Sequence, residues 1–219
     1  MGSEIDLLRN YPKPQGRLTE RTAITEDDRA VARRFAWEYF DGERRHGYGG
    51  FSYHPRFWSE VVKDLAAHYR LGSASTLLDI GCAKGFMLRD LLELLPGLDV
   101  VGLDVSEYAL QHCDPVVRGR LVQGDARCLP FAGASFDVVT AVNSLHNLPI
   151  DGVRAALREI ERVGRGRSFV MVDGWRTEDQ RTKLEAWVLT AETMLHADDW
   201  VALFREVGYT GDYWFWSVD

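Results

Sequence analysis

The chain has few cysteines and no long hydrophobic run. Its 219 residues contain three cysteines, Cys82, Cys113 and Cys128, and no pair is spaced as Cys-x-x-Cys. An odd number without that spacing indicates neither a disulfide framework nor a zinc site, so we predict no bound metal. No apolar run approaches the roughly 20 residues that a membrane-spanning helix needs. The first 25 residues lack the apolar segment of a secretory signal, which predicts a cytoplasmic protein with no membrane partner.

Positive charge is also scarce. The sequence has 26 Lys and Arg against 33 Asp and Glu, a formal net charge of −7, and its basic residues form no long run. Proteins that bind nucleic acids contact the phosphate backbone through clustered basic side chains. The composition therefore argues against a nucleic-acid partner and favours a small-molecule substrate.

Apolar runs and helical apolar patterns alternate through the later part of the chain. Predicted strands cover 76–81, 99–105, 120–125, 136–143, 168–173 and 209–218; predicted helices cover 85–95, a short segment capped by Ser106, a segment capped by Asp151, 179–195 and 198–207. Near-continuous apolar strands that alternate with helices are typical of a parallel sheet covered on both faces. We predict an α/β fold with a doubly wound, mostly parallel sheet.

The first third of the chain has a different pattern. Thr25-Glu-Asp-Asp28 fits a capping box at the start of a helix, and Pro55 is well placed to open a second helix. Residues 41–50, between them, contain four glycines, which predicts a flexible loop. We expect residues 1–72 to form an N-terminal arm and helical lid, and residues 73–219 to form the core as one folding unit.

Acidic residues stand at the ends of three predicted strands. Asp79 precedes the loop Gly81-Cys-Ala-Lys-Gly85. Asp104 comes 25 residues after Asp79, and Asp125 comes 21 residues after Asp104. Acids at this spacing predict a nucleoside-binding crevice at the carboxyl edge of a parallel sheet. The glycines let the backbone pass close to a ligand. Asp104 can accept hydrogen bonds from both ribose hydroxyls, and Asp125 with the backbone of Ala126 can reach an adenine.

The dinucleotide-binding fingerprint Gly-x-Gly-x-x-Gly is not met. Aligned on Gly81, its second and third glycines fall on Ala83 and Phe86. The crevice therefore calls for ribose and adenine but not for a pyrophosphate. An NAD-dependent oxidoreductase is the less favoured alternative.

These motifs resemble those of the class I S-adenosylmethionine (SAM) dependent methyltransferases, over about residues 76–175. Asp79-x-Gly81-x-x-x-Gly85 is similar to the family's first motif, with Ala83 at a position that usually holds glycine. Gly124-Asp-Ala-Arg-Cys-Leu-Pro-Phe131 with Ser135-Phe-Asp-Val-Val139 is similar to small-molecule methyltransferases of the ubiquinone-biosynthesis type. The family normally ends in two antiparallel strands, but only one long strand is obvious here. The resemblance thus implies a Rossmann-like sheet of six or seven strands.

The resemblance also implies roles for the site residues, with SAM as the cofactor. The glycine loop would contact its amino-acid end, Asp104 its ribose, and the lid would close over it. The residues expected to bind the cofactor are Asp79, Gly81, Cys82, Ala83, Gly85, Asp104, Val105, Asp125, Ala126, Asn143, Tyr48 and Tyr53.

The segment Asn143-Ser-Leu-His-Asn147 supplies the catalytic candidate. In the family, a residue just after the fourth strand borders the methyl group. His146 is therefore the candidate general base for an alcohol acceptor, whereas an amine acceptor needs only to be delivered neutral. A structural histidine, hydrogen-bonded within its loop, is the open alternative.

Aromatic residues near the strand ends suggest an acceptor pocket. Trp175, with Asp173 nearby, would suit a cationic amine through cation–π attraction. Tyr213-Trp-Phe-Trp216 places aromatic rings on both faces of the last strand, so one face covers an adjacent helix, an acceptor pocket or a dimer contact.

We predict a SAM-dependent methyltransferase that acts on a nitrogen or an oxygen of a small molecule, such as a metabolite or natural-product intermediate. Nitrogen is slightly favoured, because no strong base constellation is visible. A non-catalytic SAM-binding regulatory or partner protein is the alternative from another class. A homodimer is left open.

Overall fold

A parallel sheet forms the centre of the molecule. The computed structural model describes residues 2–12, 24–49 and 52–218. Within them the strands are β1 (Thr76–Ile80), β2 (Asp99–Asp104), β3 (Leu121–Gln123), β4 (Val138–Val142), β5 (Ser168–Trp175), β6 (Leu195–His196) and β7 (Asp212–Trp216). Their order is β3-β2-β1-β4-β5, and both β6 and β7 pair with β5. These strands all pair in parallel, which confirms the predicted α/β class.

Helices cover both faces of the sheet. They are α1 (Glu26–Ala32), α2 (Trp37–Phe40), α3 (Pro55–Tyr69), α4 (Phe86–Leu94), α5 (Glu107–Gln111), α6 (Ile150–Val163), α7 (Glu178–Trp187) and α8 (Ala197–Val207), with 3-10 turns at 115–117 and 145–147. One apolar core contains residues of α3 and α4, and another contains residues of α6 and α8. The sheet is therefore doubly wound, as predicted.

Alternate residues of the central strands belong to opposite cores. Leu77 packs with the α3 and α4 residues, whereas Leu78 packs with those of α6 and α8. Both leucines are fully buried. Complete burial of a leucine stabilises a fold by about 1.5–3 kcal/mol, which explains why these strands read as unbroken apolar runs.

Local signals set the starts of several helices. The Thr25 hydroxyl accepts a hydrogen bond from the Asp28 N–H, and the Asp28 carboxylate accepts one from the Thr25 N–H, so the predicted capping box is present. Ser106 caps α5 as predicted, accepting from the Ala109 N–H at 3.0 Å. The predicted cap at Asp151 is wrong, because α6 begins one residue earlier and its N-cap is Pro149.

The last two strands differ from the expected antiparallel pair. β6 has only two residues, and β7 runs parallel to β5. The register places Met171 beside Trp214 and Asp173 beside Trp216. Because β7 is parallel, its carboxyl end lies at the same edge of the sheet as the carboxyl ends of β1 and β2.

The helix predicted over 179–195 is too long. α7 ends at Trp187, and Val188 is extended. The backbone N–H of Leu189 donates to the Tyr48 hydroxyl at 2.7 Å, and those of residues 192 and 193 donate to the carbonyl of His146. These tertiary hydrogen bonds replace the ones that a continued helix would have formed internally.

The N-terminal segments share the core of the protein. Ser3 and Ile5 form backbone hydrogen bonds with Tyr213 of β7, and α3 contributes five buried residues. The division at residue 72 stays a prediction. Parts of the predicted arm and glycine-rich loop, residues 13–23 and 50–51, lie outside the described residues. Among the helices of the described ranges, none is long and apolar enough to cross a membrane.

Candidate active site

A cavity of about 1840 Å³ opens at the carboxyl edge of the sheet. Ligand sites commonly measure about 300–1,000 Å³, so this one has room for two small molecules side by side. The predicted site residues that line it are Tyr48, Tyr53, Asp79, Gly81, Cys82, Ala83, Asp104, Val105, Asp125, Ala126, Asn143 and His146. Gly85 is also predicted to bind the cofactor, but it does not line the cavity.

The loop between β1 and α4 follows a left-handed backbone at three positions. The φ angles of Gly81, Ala83 and Gly85 are 78°, 50° and 78°. A Cβ added to Gly81 would collide with the Cβ of Ser144, and one added to Gly85 would lie 2.7 Å from Cγ2 of Val117. Packing within the protein therefore requires glycine at both positions, a reason that the sequence did not reveal. The angle at Ala83 explains why glycine is usual there.

Four of the five backbone N–H groups of this loop have acceptors inside the protein. Those of Gly81 and Cys82 donate to the carbonyl of Leu103, that of Ala83 donates to Asp104, and that of Gly85 donates to the Cys82 carbonyl. A pyrophosphate site needs such groups to point at the ligand. The loop fits a ligand without a pyrophosphate and does not fit a dinucleotide.

Asp104 is fixed at the end of β2. Its Oδ1 accepts from the Ser106 N–H and its Oδ2 from the Ala83 N–H, both at 2.8 Å. Burial raises the pKa of this carboxyl, while these backbone hydrogen bonds act in the opposite direction. Each oxygen keeps a lone pair, so the carboxylate can still accept from two vicinal hydroxyls. The next residue, Val105, is exposed at the cavity edge.

Asp79 lies buried between β1 and β4. Its Oδ1 accepts a hydrogen bond from the Thr140 hydroxyl at 2.8 Å, and Cys82 is buried on the same loop. Burial raises the pKa of Asp79 to about 7, with a further contribution from the neighbouring charge of Asp104. A cationic group bound beside Asp79 would restore its ionised form at neutral pH.

Asp125 is less available than the sequence suggested. Arg127 engages both oxygens of its carboxylate, and this pairing holds the pKa of Asp125 below its usual range. The Arg127 backbone N–H also donates to it at 2.8 Å. Ala126, which lies between Asp125 and Arg127 in the chain, packs against the core. Both predicted adenine-side residues line the cavity, but the carboxylate already has a partner.

His146 and Asp173 form a buried pair. The Asp173 backbone N–H donates to Nδ1 of His146 at 2.9 Å, so the proton of the neutral imidazole is on Nε2. Nε2 lies 3.6 Å from Oδ2 of Asp173, beyond hydrogen-bond distance. Burial lowers the pKa of His146 and raises that of Asp173. The sequence analysis named His146 as the catalytic candidate and mentioned Asp173 only as an acid near Trp175.

The turn that carries His146 begins at Asn143. Asn143 has a φ of 51°, a conformation that asparagine tolerates better than most residues, and its N–H donates to the Met171 carbonyl at 2.9 Å. Asn147 also lines the cavity, and its Oδ1 is buried with no hydrogen-bond partner among the described residues. Such an atom favours a ligand that donates a hydrogen bond.

Both tyrosines of the predicted lid are held in place by the protein. The Tyr48 hydroxyl accepts from the Leu189 N–H, and its ring packs on Trp187 with centroids 6.0 Å apart. The Tyr53 hydroxyl donates to Asp90 at 2.8 Å. Both line the cavity. Movement of a lid stays a prediction.

An ion pair that the sequence analysis missed joins the arm to the glycine loop. Lys84 is buried, and its Nζ donates to both carboxylate oxygens of Asp41 at 2.7 and 2.8 Å. The Tyr108 hydroxyl donates to the same carboxylate at 2.6 Å. Nothing in the local sequence marks this contact, since Asp41 and Lys84 belong to different segments.

Trp175, the aromatic residue predicted for the acceptor pocket, does not line the cavity. The guanidinium of Arg181 lies 5.7 Å from its ring centroid. Trp214 and Trp216 line the cavity instead. An adjacent helix, an acceptor pocket and a dimer contact were the explanations left open for the aromatic strand. The position of Trp214 and Trp216 at the cavity agrees with an acceptor pocket.

Comparison with known proteins agrees with the site. Residues 77–166 match a family model described as a methyltransferase domain. A demethylmenaquinone methyltransferase of Roseiflexus sp. (strain RS-1) is 37% identical over 113 residues, covering 50% of this chain and 45% of that protein. The chain spans about half the length of such curated relatives.

Two solved structures share the fold. The mitomycin 7-O-methyltransferase MmcR has a TM-score of 0.51 and 18% identity, over 68% of this chain and 50% of that one. The [4+2]-cyclase SpnF has a TM-score of 0.53 and 22% identity, over 68% and 56%. At this identity the likeness concerns the fold, which can carry more than one reaction.

The parallel sheet with helices on both faces defines a Rossmann-like fold, with the glycine loop and the strand-end acids at its carboxyl edge. Residues 77–166 of this fold match a methyltransferase domain, so this part of the chain is similar to the class I SAM-dependent methyltransferases. The cofactor of this class is SAM, and the residues around Asp104 and the glycine loop fit it.

Proposed function

We propose that the chain is a methyltransferase that transfers a methyl group from SAM to a nitrogen or an oxygen of a small molecule. One observation supports this most: Asp79, Asp104 and the glycine loop meet at one cavity large enough for a cofactor and an acceptor. The cytoplasmic location and the homodimer stay predictions.

The cofactor end of the cavity is suited to a ligand that carries a ribose and a cation. Asp104 would hold the ribose hydroxyls, because each of its oxygens keeps a lone pair after one backbone hydrogen bond. Asp79 would face the ammonium group, since its buried carboxylate has a hydroxyl partner but no basic one within the described ranges. Tyr48 and Tyr53 would border the mouth.

Bound SAM supplies a methyl group already activated on a sulfonium, so the protein must align an acceptor and exclude water. A hydroxyl acceptor must also lose a proton. The Nδ1 lone pair of His146 is engaged by a backbone N–H, so a proton from the acceptor would enter this pair at the Asp173 carboxylate. His146 remains our catalytic candidate, acting together with Asp173.

The two alternatives differ in what the site would bind and do. An NAD-dependent oxidoreductase is disfavoured by the glycine loop, since four of its five N–H groups have internal acceptors. A SAM-binding partner protein would keep the cofactor end but would transfer no methyl group. Fold similarity leaves this open, because one structure of the same fold is named a cyclase.

Calorimetric titration with S-adenosylhomocysteine (SAH), with NADH as the control, tests the proposal. We expect one-to-one micromolar binding of SAH and no binding of NADH. Labelled SAM with panels of amines and alcohols then tests transfer. Binding of NADH without SAH would contradict the cofactor assignment, and SAH binding without transfer to any acceptor would favour the partner protein.

A further inference from the structure

The acceptor end of the cavity has a buried carboxylate that the cofactor does not explain. Asp173 is 6% exposed and lines the cavity near the end of β5. Its contact with a basic side chain, among the described residues, is the 3.6 Å approach of neutral His146. A buried carboxylate without a cationic partner is costly, so a ligand cation at this position would be favoured.

The nearby basic side chains are engaged elsewhere. Arg176 lies just after β5, but its guanidinium pairs with Glu4 of the N-terminal segment. Lys84 pairs with Asp41. The protein therefore provides no ammonium or guanidinium partner for Asp173 in the part of the chain that the structure describes.

An aromatic residue of the neighbouring strand stands beside Asp173. Residues 171 and 173 of β5 pair with Trp214 and Trp216 of β7. Tyr213 and Phe215 pack in the core with α6 and α8, whereas the two tryptophans turn to the opposite face and are half-buried there. Trp216 thus stands next to Asp173 at the cavity because β7 is parallel.

Two further aromatic residues of the cavity lining come from the N-terminal half of the chain. Tyr11 packs edge-on against Trp58, with ring centroids 5.1 Å apart, and both residues line the cavity. Aromatic faces attract cations, and the attraction increases when water is excluded. A buried carboxylate beside an aromatic residue, in a cavity with further aromatic lining, suits a cationic nitrogen.

We propose that the methyl acceptor is an amine, whose positively charged nitrogen binds the Asp173 carboxylate against the ring of Trp216. This inference rests on the proposed function and narrows its acceptor class. The buried Oδ1 of Asn147, which has no partner among the described residues, offers an acceptor for an N–H group of such a ligand.

The transfer step balances with the residues present. The bound ammonium gives one proton to the Asp173 carboxylate and becomes a neutral amine. Its lone pair forms the new nitrogen–carbon bond with the methyl group while the carbon–sulfur electron pair returns to sulfur. The products are a methylated ammonium and SAH, and Asp173 then releases its proton to solvent.

The test uses two probes of the same shape, 2-phenylethylammonium and 2-phenylethanol, titrated at pH 7 into the SAH-saturated protein. We expect the cation to bind at least about tenfold more tightly, as for other desolvated charge pairs. Asp173→Asn should abolish this preference. It preserves two backbone contacts, the N–H donated to His146 and the carbonyl that accepts from Trp200.

Matched tryptophan variants separate the cavity from its surroundings. Trp216→Leu should weaken binding of the cation by about three- to tenfold, the range of a cation–π contact, and Trp175→Leu should not. Equal binding of the two probes, a preference that survives Asp173→Asn, or no binding of either probe to SAH-loaded protein would overturn the inference. Failure of SAH itself to bind would instead contradict the proposed function, and the inference with it.

Discussion

The cofactor end and the acceptor end of the cavity are built from the chain in different ways. The cofactor end comes from β1, the glycine loop and β2, so Asp79 and Asp104 are only 25 residues apart. The acceptor end joins the turn at His146, the end of β5 and the end of β7. Local patterns could predict the first end, whereas the second depends on how distant segments meet.

Their electrostatics differ as well. At the cofactor end, Asp104 accepts two backbone hydrogen bonds and Asp79 accepts one from a hydroxyl. At the acceptor end, Asp173 has a neutral histidine at 3.6 Å. Both ends therefore have a buried carboxylate for a ligand cation, Asp79 and Asp173, but hydrogen bonds from the protein hold the carboxylates of the first end in place before a ligand binds.

The largest loss of cofactor affinity is expected from Asp104→Ala. It removes an anionic acceptor for the ribose and leaves the N–H groups of Ala83 and Ser106 without their partner, so SAH affinity should fall by about 100-fold or more. Calorimetry measures the change. Asp99→Ala is the control, because Asp99 is the exposed first residue of the same strand. Unchanged SAH affinity in Asp104→Ala would refute the assigned crevice.

The acceptor end should affect turnover without affecting cofactor binding. His146→Ala removes the group that faces Asp173, and turnover with an acceptor found by screening should fall by about 100-fold. The SAH affinity should change less than about twofold, as expected of sites with no shared partner. His196→Asn, at the half-buried N-cap of α8, is the histidine control. Full activity of His146→Ala would make the histidine structural.

The raised pKa of Asp79 predicts a pH effect confined to the cofactor end. With a folded-state pKa of about 7, Asp79 is mostly protonated at pH 6 and mostly ionised at pH 8. An ammonium ligand binds the ionised form, so SAH affinity should rise by about tenfold over this interval. Asp79→Asn should flatten the profile. A flat profile in the unmodified protein would argue against an ammonium at Asp79.

The contact between the arm and the glycine loop should contribute to stability. Asp41→Ala leaves Lys84 buried without its carboxylate, and the free energy of unfolding in urea should fall by about 1–3 kcal/mol. Glu60→Ala breaks the exposed pair with Lys63 and should cost at most about 0.5 kcal/mol. Equal effects of the two changes would mean that the buried pair has no special role.

The smallest effect is expected at Ala83. Replacement by glycine relieves the left-handed backbone, and the unfolding free energy should rise by up to about 1 kcal/mol. Ala134→Gly, at another alanine with positive φ far from the glycine loop in sequence, should give a similar gain. Only Ala83→Gly should also change SAH affinity, because Ala83 lies in the glycine loop. If Ala134→Gly changed SAH affinity as well, the change could not be assigned to the loop.

Several sequence predictions were confirmed because their causes are local. The apolar runs located the main strands, since burial on both faces leaves no polar alternation. Thr25 with Asp28 and Ser106 marked helix starts, because caps need only residues within the next turn. The end of α7 was missed, since it depends on hydrogen bonds from residues 189–193 to Tyr48 and His146.

The sequence by itself determined the α/β class, the cofactor loop and the acids at three strand ends, because side-chain periodicity and strand-end motifs are short-range properties. Tertiary structure alone decided that β7 runs parallel, that Trp216 reaches Asp173, and that Lys84 pairs with Asp41. Asp41 and Lys84 are 43 residues apart in the chain, and so are Asp173 and Trp216. Their pairing depends on the energy of the whole packed core, which no local pattern encodes.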